Sequence, residues 1–291
     1  MMIFLFAAPG RGTKNCFIDS IYSFGDSIAD TGNLLRQGAV GMFAPIGRFP
    51  YGKTMNNATG RCSDGLLMID YFECSRKLEH ALILMGEIGG NDYNNAFFQG
   101  TSIDSVKSFV PQVVDRIVSA AKEVIDAGAV QLVIPGNFPI GCMPSYLTMF
   151  YSSNPSDYDD NNCLKDYNSF AMYHNQQLQA ATEKLRQSYP KVTLMYADYY
   201  QAFMYLLNNA AKLGFDKDSV HEACCGAGGT YNFDIKLMCG LPGTSTCSDP
   251  TKYISWDGIH LTQEAYKTMA QALIMQGFAF PNHNIHNQWK C

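Results

Sequence analysis

Short apolar runs alternate with longer amphipathic segments along this chain. Each apolar run is nearly continuous, which is typical of strands that helices cover on both faces; the runs lie at 20–24, 81–90, 129–141 and 191–200. Between them, apolar residues recur every three to four positions, which predicts helices over 103–128, 167–190 and 262–277. This alternation predicts an α/β fold with a parallel sheet. No linker or internal repeat interrupts it, so we expect one domain.

Polar residues directly follow two of the predicted strands. The first strand runs into FGDSIADTGN, residues 24–33, and the second runs into GEIGGND, residues 86–92. In parallel sheets flanked by helices, ligands bind beyond the carboxyl ends of the strands. We therefore expect the chemistry of this protein at this edge of the sheet.

Ser27 is the candidate nucleophile. A serine hydroxyl is a poor nucleophile at neutral pH, so it needs a base within hydrogen-bond reach and donors for the oxyanion that forms. We expect a helix to begin near Ser27, where it would supply free N–H groups and a positive dipole end. The alternative is that Ser27 only caps that helix, and for an isolated Gly-Asp-Ser motif the cap is the better interpretation.

His260 is the candidate base. Of the six histidines, it alone stands between a strand-like segment and a helix with a carboxylate three residues before it, in SWDGIHLT. Asp257 can hold the imidazole in the tautomer whose other nitrogen faces a serine. Asp-x-x-His alone also fits a surface pair. His174 lies in the middle of a predicted helix, where it is expected to be packed or solvated.

Asn91 is the candidate oxyanion donor. Its side-chain amide follows Gly89 and Gly90, which allow the backbone to turn tightly beneath it. On its own, this segment would be interpreted as a glycine turn.

Composition excludes several classes of function. The 291 residues carry a formal charge of −5, and the pI is near 5.6, so there is no basic surface for nucleic acid. No apolar run reaches the roughly 18 residues of a transmembrane helix. Residues 1–15 contain a short apolar run that fits the remnant of a secretory signal peptide, although no Lys or Arg precedes it. An N-terminus with no targeting role is an equally good interpretation.

Ten cysteines favour an oxidising compartment and disulfides. The sequon NAT makes Asn57 a glycosylation acceptor if the chain is secreted. A zinc site remains as an alternative, although no C-x-x-C pair is present; its ligands would be His221, Cys224, Cys225, Cys239 and Cys247.

Together, these motifs resemble the plant GDSL esterase/lipase branch of the SGNH hydrolase superfamily. The likeness extends from about residue 16 to residue 280, and it includes FGDSIADTGN, GEIGGNDYN, WDGIHLT, VIPGNFPIGCMPSYL and ACCGAGGTYNF. It implies a flavodoxin-like three-layer sandwich over 16–291. It also implies a secreted, monomeric hydrolase that acts on small-molecule esters without a metal or organic cofactor.

The resemblance also implies a role for each candidate residue. Ser27 would be the nucleophile, His260 the general base and then the acid, and Asp257 the residue that orients the imidazole. The Ser27 N–H and the Asn91 amide would donate to the oxyanion.

One part of the family pattern is absent. GRCSDGLLMIDYF, residues 60–72, is followed almost at once by the second strand-like run, so several tens of residues are missing near positions 73 and 74. The absent segment would hold an edge strand and a glycine that supplies a third oxyanion donor. We therefore expect a sheet reduced to four strands, in which the first and second strands of this chain are neighbours.

Two classes of function stay open from the sequence. One is a serine carboxylic-ester hydrolase that acts through an acyl-enzyme on a small or acyl-lipid ester. The other is a catalytically impaired relative, with a binding role or no independent role.

Overall fold

The computed structural model describes residues 20–38, 41–71 and 81–281, so the segment 1–15 and the junction at 73 and 74 lie outside the described residues. Its strands are β1 (Ser20–Ser23), β2 (Ala81–Leu84), β3 (Gln131–Pro135), β4 (Thr193–Ala197), β5 (Cys225–Gly226), β6 (Ser245–Thr246) and β7 (Ala279–Phe280). Its α-helices are α1 (Asn33–Arg36), α2 (Gly90–Phe98), α3 (Ile103–Lys107), α4 (Val110–Asp126), α5 (Pro144–Met149), α6 (Lys165–Ser188), α7 (Tyr199–Asn208), α8 (Ala210–Leu213) and α9 (Gln263–Met275).

The main sheet has the order β1-β2-β3-β4-β7. The first four strands are parallel, as the sequence predicts. The sheet has five strands and not the expected four, because β7 adds a short antiparallel strand at the edge beside β4. β1 pairs directly with β2, with Ser23 opposite Leu84. This pairing agrees with the neighbours expected after loss of the family's edge strand.

Helices cover the sheet in layers. β2, β3 and β4 are consecutive neighbours, so right-handed crossovers place α4 and α6 on the same face, where they pack against each other. α7 packs against α9, which also contacts the 3₁₀ turn Met68–Tyr71. All four residues of β2 are buried. No helix among the described residues is long and apolar enough to cross a membrane.

The helix predicted over 103–128 forms as two helices, so that prediction was wrong in detail. α3 ends at Lys107, and α4 begins at Val110 with Pro111 in its first turn. Proline has no N–H to bond to the carbonyl four residues before it, and its ring clashes with that carbonyl. The chain therefore breaks and starts a new helix. The other two predicted helices form as α6 and α9.

The described residues contain three disulfides, as the cysteine count predicts: Cys142–Cys163, Cys224–Cys247 and Cys225–Cys239. The last two use four of the proposed zinc ligands, so the zinc alternative was wrong. Both ring nitrogens of His221, the fifth, lie within hydrogen-bond distance of backbone carbonyl oxygens.

The ends of β1 and β2 approach each other closely at Gly86. Its φ is +67°, and a Cβ added there would overlap the carbonyl oxygen of Phe24. Phe24 N–H donates to the Leu84 carbonyl at 2.7 Å, so the two strands stay paired up to this point. The polar segments that follow them therefore emerge side by side.

Gly86→Ala is expected to lower the free energy of unfolding by about 2–5 kcal/mol, because it adds a steric overlap to the cost of a left-handed backbone. Gly100→Ala is the matched control. Gly100 also has a positive φ, +84°, but nothing lies within 4 Å of an added Cβ. Gly100→Ala should lower the free energy of unfolding by only about 1–2 kcal/mol. Urea unfolding measures both values, and equal losses would contradict the close approach.

Candidate active site

Ser27 lies in a turn just beyond the carboxyl end of β1. The Ala29 N–H donates to the Asp26 carbonyl at 3.0 Å and closes this turn. The expectation of a helix near Ser27 was wrong, because α1 begins only at Asn33. Its first turn is held by the Asp30 carboxylate, which accepts the N–H groups of Gly32, Asn33 and Leu34 at 2.9, 2.6 and 2.9 Å. The helix dipole therefore does not act on Ser27.

Ser27, His260 and Asp257 form a continuous chain of hydrogen bonds. His260 Nε2 lies 2.7 Å from Ser27 Oγ, and His260 Nδ1 lies 2.8 Å from Asp257 Oδ2. The histidine and the aspartate stand in the loop before α9 and are both buried. The structure thus brings together the three residues that the sequence suggested as nucleophile, base and orienting acid.

Asp257 is held as an ionised carboxylate. Burial alone would raise its pKa, but the charge of His260 and hydrogen bonds from His260 and Ile259 outweigh burial and lower the pKa below its usual value. Oδ1 accepts the N–H groups of His260 and Ile259 at 2.8 and 3.1 Å. Oδ2 accepts from the Tyr51 hydroxyl at 3.0 Å as well as from the imidazole.

The basicity of His260 follows from the same contacts. Burial would lower its pKa, but the charge of Asp257, the hydrogen bond to it and the nearby Asp26 together raise the pKa above the ordinary value of 6.5. A raised pKa makes the imidazole a stronger proton acceptor.

Asn91 lies at the start of α2, beside the serine turn. Gly89 precedes the helix with a φ of +112°, so the tight glycine turn that the sequence suggests is present. The Asn91 amide Nδ2 donates to Asp26 Oδ2 at 2.8 Å. Burial raises the pKa of Asp26 despite the backbone N–H of Ile28 and the nearby His260. No group among the described residues accepts the Ser27 N–H.

A buried carboxyl group, Glu87, lies beneath this turn, and the sequence reasoning missed it. It is 5 % exposed, and its Oε1 accepts the Gly90 N–H at 3.1 Å. Burial, followed by the neighbouring Asp26 and Asp92, raises the pKa of Glu87 well above its ordinary value. This favours the neutral acid.

His174 packs beneath α2, against Tyr93. The histidine is buried in α6, its Nδ1 lies 2.7 Å from the Tyr93 hydroxyl, and the two rings pack edge-on. Burial lowers the pKa of His174 to about 4, so it is neutral at physiological pH. Of the two expectations for His174, packed or solvated, the structure shows the packed one.

Two other sequence suggestions concern modification and metal binding. Asn57 is exposed in a turn in which its N–H donates to the Gly52 carbonyl, so its side chain is accessible. Within the described ranges, no three His, Cys, Asp or Glu side chains are grouped so that they could hold a metal ion.

Comparisons with known proteins agree with this geometry. The family described as GDSL-like lipase/acylhydrolase matches residues 21–273. GDSL esterase/lipase At5g03980 of Arabidopsis thaliana is 41% identical, with 100% of this chain and 96% of the relative covered. GDSL esterase/lipase At2g27360 of the same plant is 35% identical, with 99% and 91% covered. Acetylajmalan esterase 1 of Rauvolfia serpentina is 33% identical, with 94% and 89% covered.

The alignments also bear on the absent segment. The match to At5g03980 runs over 322 positions, although this chain has 291 residues. Gaps must therefore lie opposite part of the relative, as expected for a chain that lacks an internal segment. With a family match over most of its length and several near-full-length relatives, this chain belongs to the GDSL-like lipase/acylhydrolase family.

Proposed function

We propose that this protein hydrolyses carboxylic esters by two-step acyl transfer, with Ser27 as nucleophile. Its family and its relatives make it a carboxylic ester hydrolase. The observation that supports the mechanism is the unbroken hydrogen-bond chain from Ser27 Oγ through His260 to Asp257.

In the first step, Ser27 Oγ attacks the carbonyl carbon of the ester while His260 Nε2 takes the hydroxyl proton. The ionised Asp257 stabilises the imidazolium that forms. Collapse of the tetrahedral intermediate breaks the bond to the alcohol oxygen, and His260 returns the proton to that oxygen. Water then attacks the acyl-enzyme with the same base, and this step releases the carboxylic acid and restores Ser27.

The oxyanion would be stabilised by the Ser27 N–H and the Asn91 amide. One hydrogen of that amide is used by Asp26, and the other remains to donate to the substrate oxygen. The contact to Asp26 fixes the plane of the amide before substrate arrives. Such preorganised donors need no reorganisation during the reaction.

The substrate is proposed to be a small or acyl-lipid ester, outside or on the surface of the cell. The Rauvolfia relative is named as an esterase of acetylajmalan, which is consistent with the small-ester part of this range. Secretion is supported by the three disulfides of the described residues. The exposed Asn57 would then carry a glycan.

The assembled triad favours this function over a catalytically impaired relative. Without the internal segment, the chain lacks the glycine that would supply a third oxyanion donor, as the family resemblance implies. Ser27, His260 and Asp257 are nevertheless in contact with one another. Removing one such donor typically lowers the rate about 10²–10³-fold. We therefore propose an active enzyme that is slower than a relative with the segment.

Ser27→Ala should lower the turnover of p-nitrophenyl acetate by about 10³-fold or more, because the nucleophile and its base act as a unit. Ser119→Ala is the control, since Ser119 is an exposed serine on α4 whose hydroxyl donates to the Asp115 carbonyl of its own helix. It should keep wild-type turnover. If Ser27→Ala retained activity within a few-fold of wild type, Ser27 would not be the nucleophile.

The kcat/KM of the wild type should rise with pH through a midpoint above 6.5, since His260 must be neutral to accept a proton and its pKa is raised. Asp257→Asn should lower kcat by about 10³–10⁴-fold, because the amide favours the wrong tautomer. It should also move the midpoint of the residual activity to lower pH, because burial of the imidazole then acts without the countercharge. An unchanged midpoint would mean that Asp257 does not set the basicity of His260.

Asn91→Ala should lower kcat by about 10²–10³-fold with a smaller change in KM, because the lost donor acts mainly in the transition state. Asn95→Ala on the same helix is the matched control. Asn95 is also exposed, and it should leave both constants unchanged. Steady-state kinetics of the two variants separates these outcomes, and equal effects would remove Asn91 from the oxyanion hole.

A further inference from the structure

The Asp257 carboxylate receives one hydrogen bond from a distant part of the chain. His260 N–H, Ile259 N–H and His260 Nδ1 all come from within three residues of it. The fourth donor, the Tyr51 hydroxyl, stands 206 positions earlier. This hydroxyl and the imidazole share Oδ2, the oxygen that orients His260.

The Tyr51 side chain is fixed in its place. It is 3 % exposed, and its ring packs edge-on against Trp256, with 6.0 Å between the ring centroids. The backbone around it is anchored by Gly52 N–H to the Ser63 carbonyl and Thr54 N–H to the Asp64 carbonyl. The hydroxyl is therefore held against Asp257 by buried packing.

The direction of this hydrogen bond follows from the charges of the two groups. Burial, followed by the neighbouring charge of Asp257, raises the pKa of Tyr51 well above 10, so the phenol keeps its proton. Asp257 is ionised and can only accept. Tyr51 is thus a permanent donor to the oxygen that faces the imidazole.

We propose that Tyr51 is a positioning residue of the triad. Its hydroxyl holds Asp257 Oδ2 in line with His260 Nδ1 and draws part of the negative charge from that oxygen. This inference rests on the proposed function, because it assigns Tyr51 a part in that reaction. A carboxylate with both oxygens bonded cannot rotate away from the imidazole. By drawing charge from Oδ2, Tyr51 also limits how strongly Asp257 raises the basicity of His260.

The other titratable groups near this site do not supply the same effect. Asp26 acts on His260 from the serine turn, next to Ser27, which contacts the other ring nitrogen from the one that Asp257 contacts. Cys62 and Tyr266 lie near Asp257, and burial, their largest influence, raises the pKa of each, so both stay neutral. The Tyr266 hydroxyl accepts the Leu261 N–H at 3.3 Å. Tyr51 is the one side chain besides His260 that bonds to Asp257 within the described residues.

Tyr51→Phe tests the inference, since it removes the hydroxyl and keeps the ring. It should lower kcat about tenfold, the scale of one hydrogen bond to a charged group, with little change in KM. It should also raise the pKa of His260, because Oδ2 then carries more charge. Asp257→Asn is expected to shift that pKa in the opposite direction, so the two signs distinguish loss of the donor from loss of the carboxylate.

The matched control is Tyr189→Phe. Tyr189 also donates its hydroxyl to an aspartate, Asp126, at 3.1 Å. That pair lies just before β3 and β4 begin, at the amino ends of the strands. Ser27 lies at the opposite side, beyond the carboxyl end of β1. Tyr189→Phe should leave kcat and the pKa of His260 unchanged.

The pKa of His260 is read by NMR titration of the imidazole Cε1–H signal, assigned with His260→Gln. This readout does not need turnover, so it tests Tyr51 even if the wild-type protein proves inactive on p-nitrophenyl acetate and the proposed function fails. An unshifted His260 titration in Tyr51→Phe would overturn the inference, whether kcat fell or not, because Tyr51 would then act only through packing.

A double variant gives a second, independent check. If Tyr51 acts through Asp257, adding Tyr51→Phe to Asp257→Asn should lower kcat less than it does in the wild type. Fully additive losses would overturn the inference. The single and double variants are compared at equal folded fraction, measured by circular dichroism.

Discussion

A buried carboxylate is the constraint on which the active site depends. Removing a charge from water is costly unless hydrogen bonds and a countercharge replace the lost solvation. Asp257 is 2 % exposed, and its four hydrogen bonds and His260 provide that replacement. These contacts therefore stabilise the conformation of the loop before α9 that directs two backbone N–H groups and one imidazole at the same carboxylate.

The surroundings of Asp257 form a small core of their own. It contains Ile46, Tyr51, Cys62 and Trp256 together with three disulfide cysteines, Cys224, Cys225 and Cys239. Two disulfides lie in this region and close the segment 224–247 on itself. The Cys225 N–H donates to the Trp256 carbonyl at 2.7 Å, which connects the disulfide segment to the residue next to Asp257. The large core of the sheet thus positions Ser27, and this smaller core positions its partners.

The predictions from sequence succeeded where the signal is local. The four parallel strands were visible as apolar runs, and Ser27, Asp257 and His260 stood in short motifs whose residues lie close together in the chain. The predicted helix near Ser27 failed because the Asp30 carboxylate holds the first turn of a helix that begins six residues later. β7 has two residues, too few to show a pattern.

Other features could not be read from sequence because they depend on contacts between distant segments. Nothing in RFPYG marks Tyr51 as a partner of Asp257, since their hydrogen bond exists only after the fold brings them together. Glu87 stands in a recognisable motif, but its neutral state follows from burial beneath α2. Pro111 was the exception. It is a local signal for the break between α3 and α4, but the regular spacing of apolar residues over 103–128 predicted one continuous helix.

The separation of Ser27 from His260 along the chain has a consequence for biosynthesis. β1 to β4 are neighbours in the order in which the ribosome makes them, so each new strand can add to the edge of the one before. The proposed base, His260, lies 233 positions after the proposed nucleophile, Ser27, which corresponds to roughly 10–50 s of synthesis. During that interval the nascent chain can carry its parallel sheet and its serine without a proton acceptor. Under the proposed mechanism, hydrolytic activity would begin only when the last part of the chain docks, so its onset would mark the completion of folding.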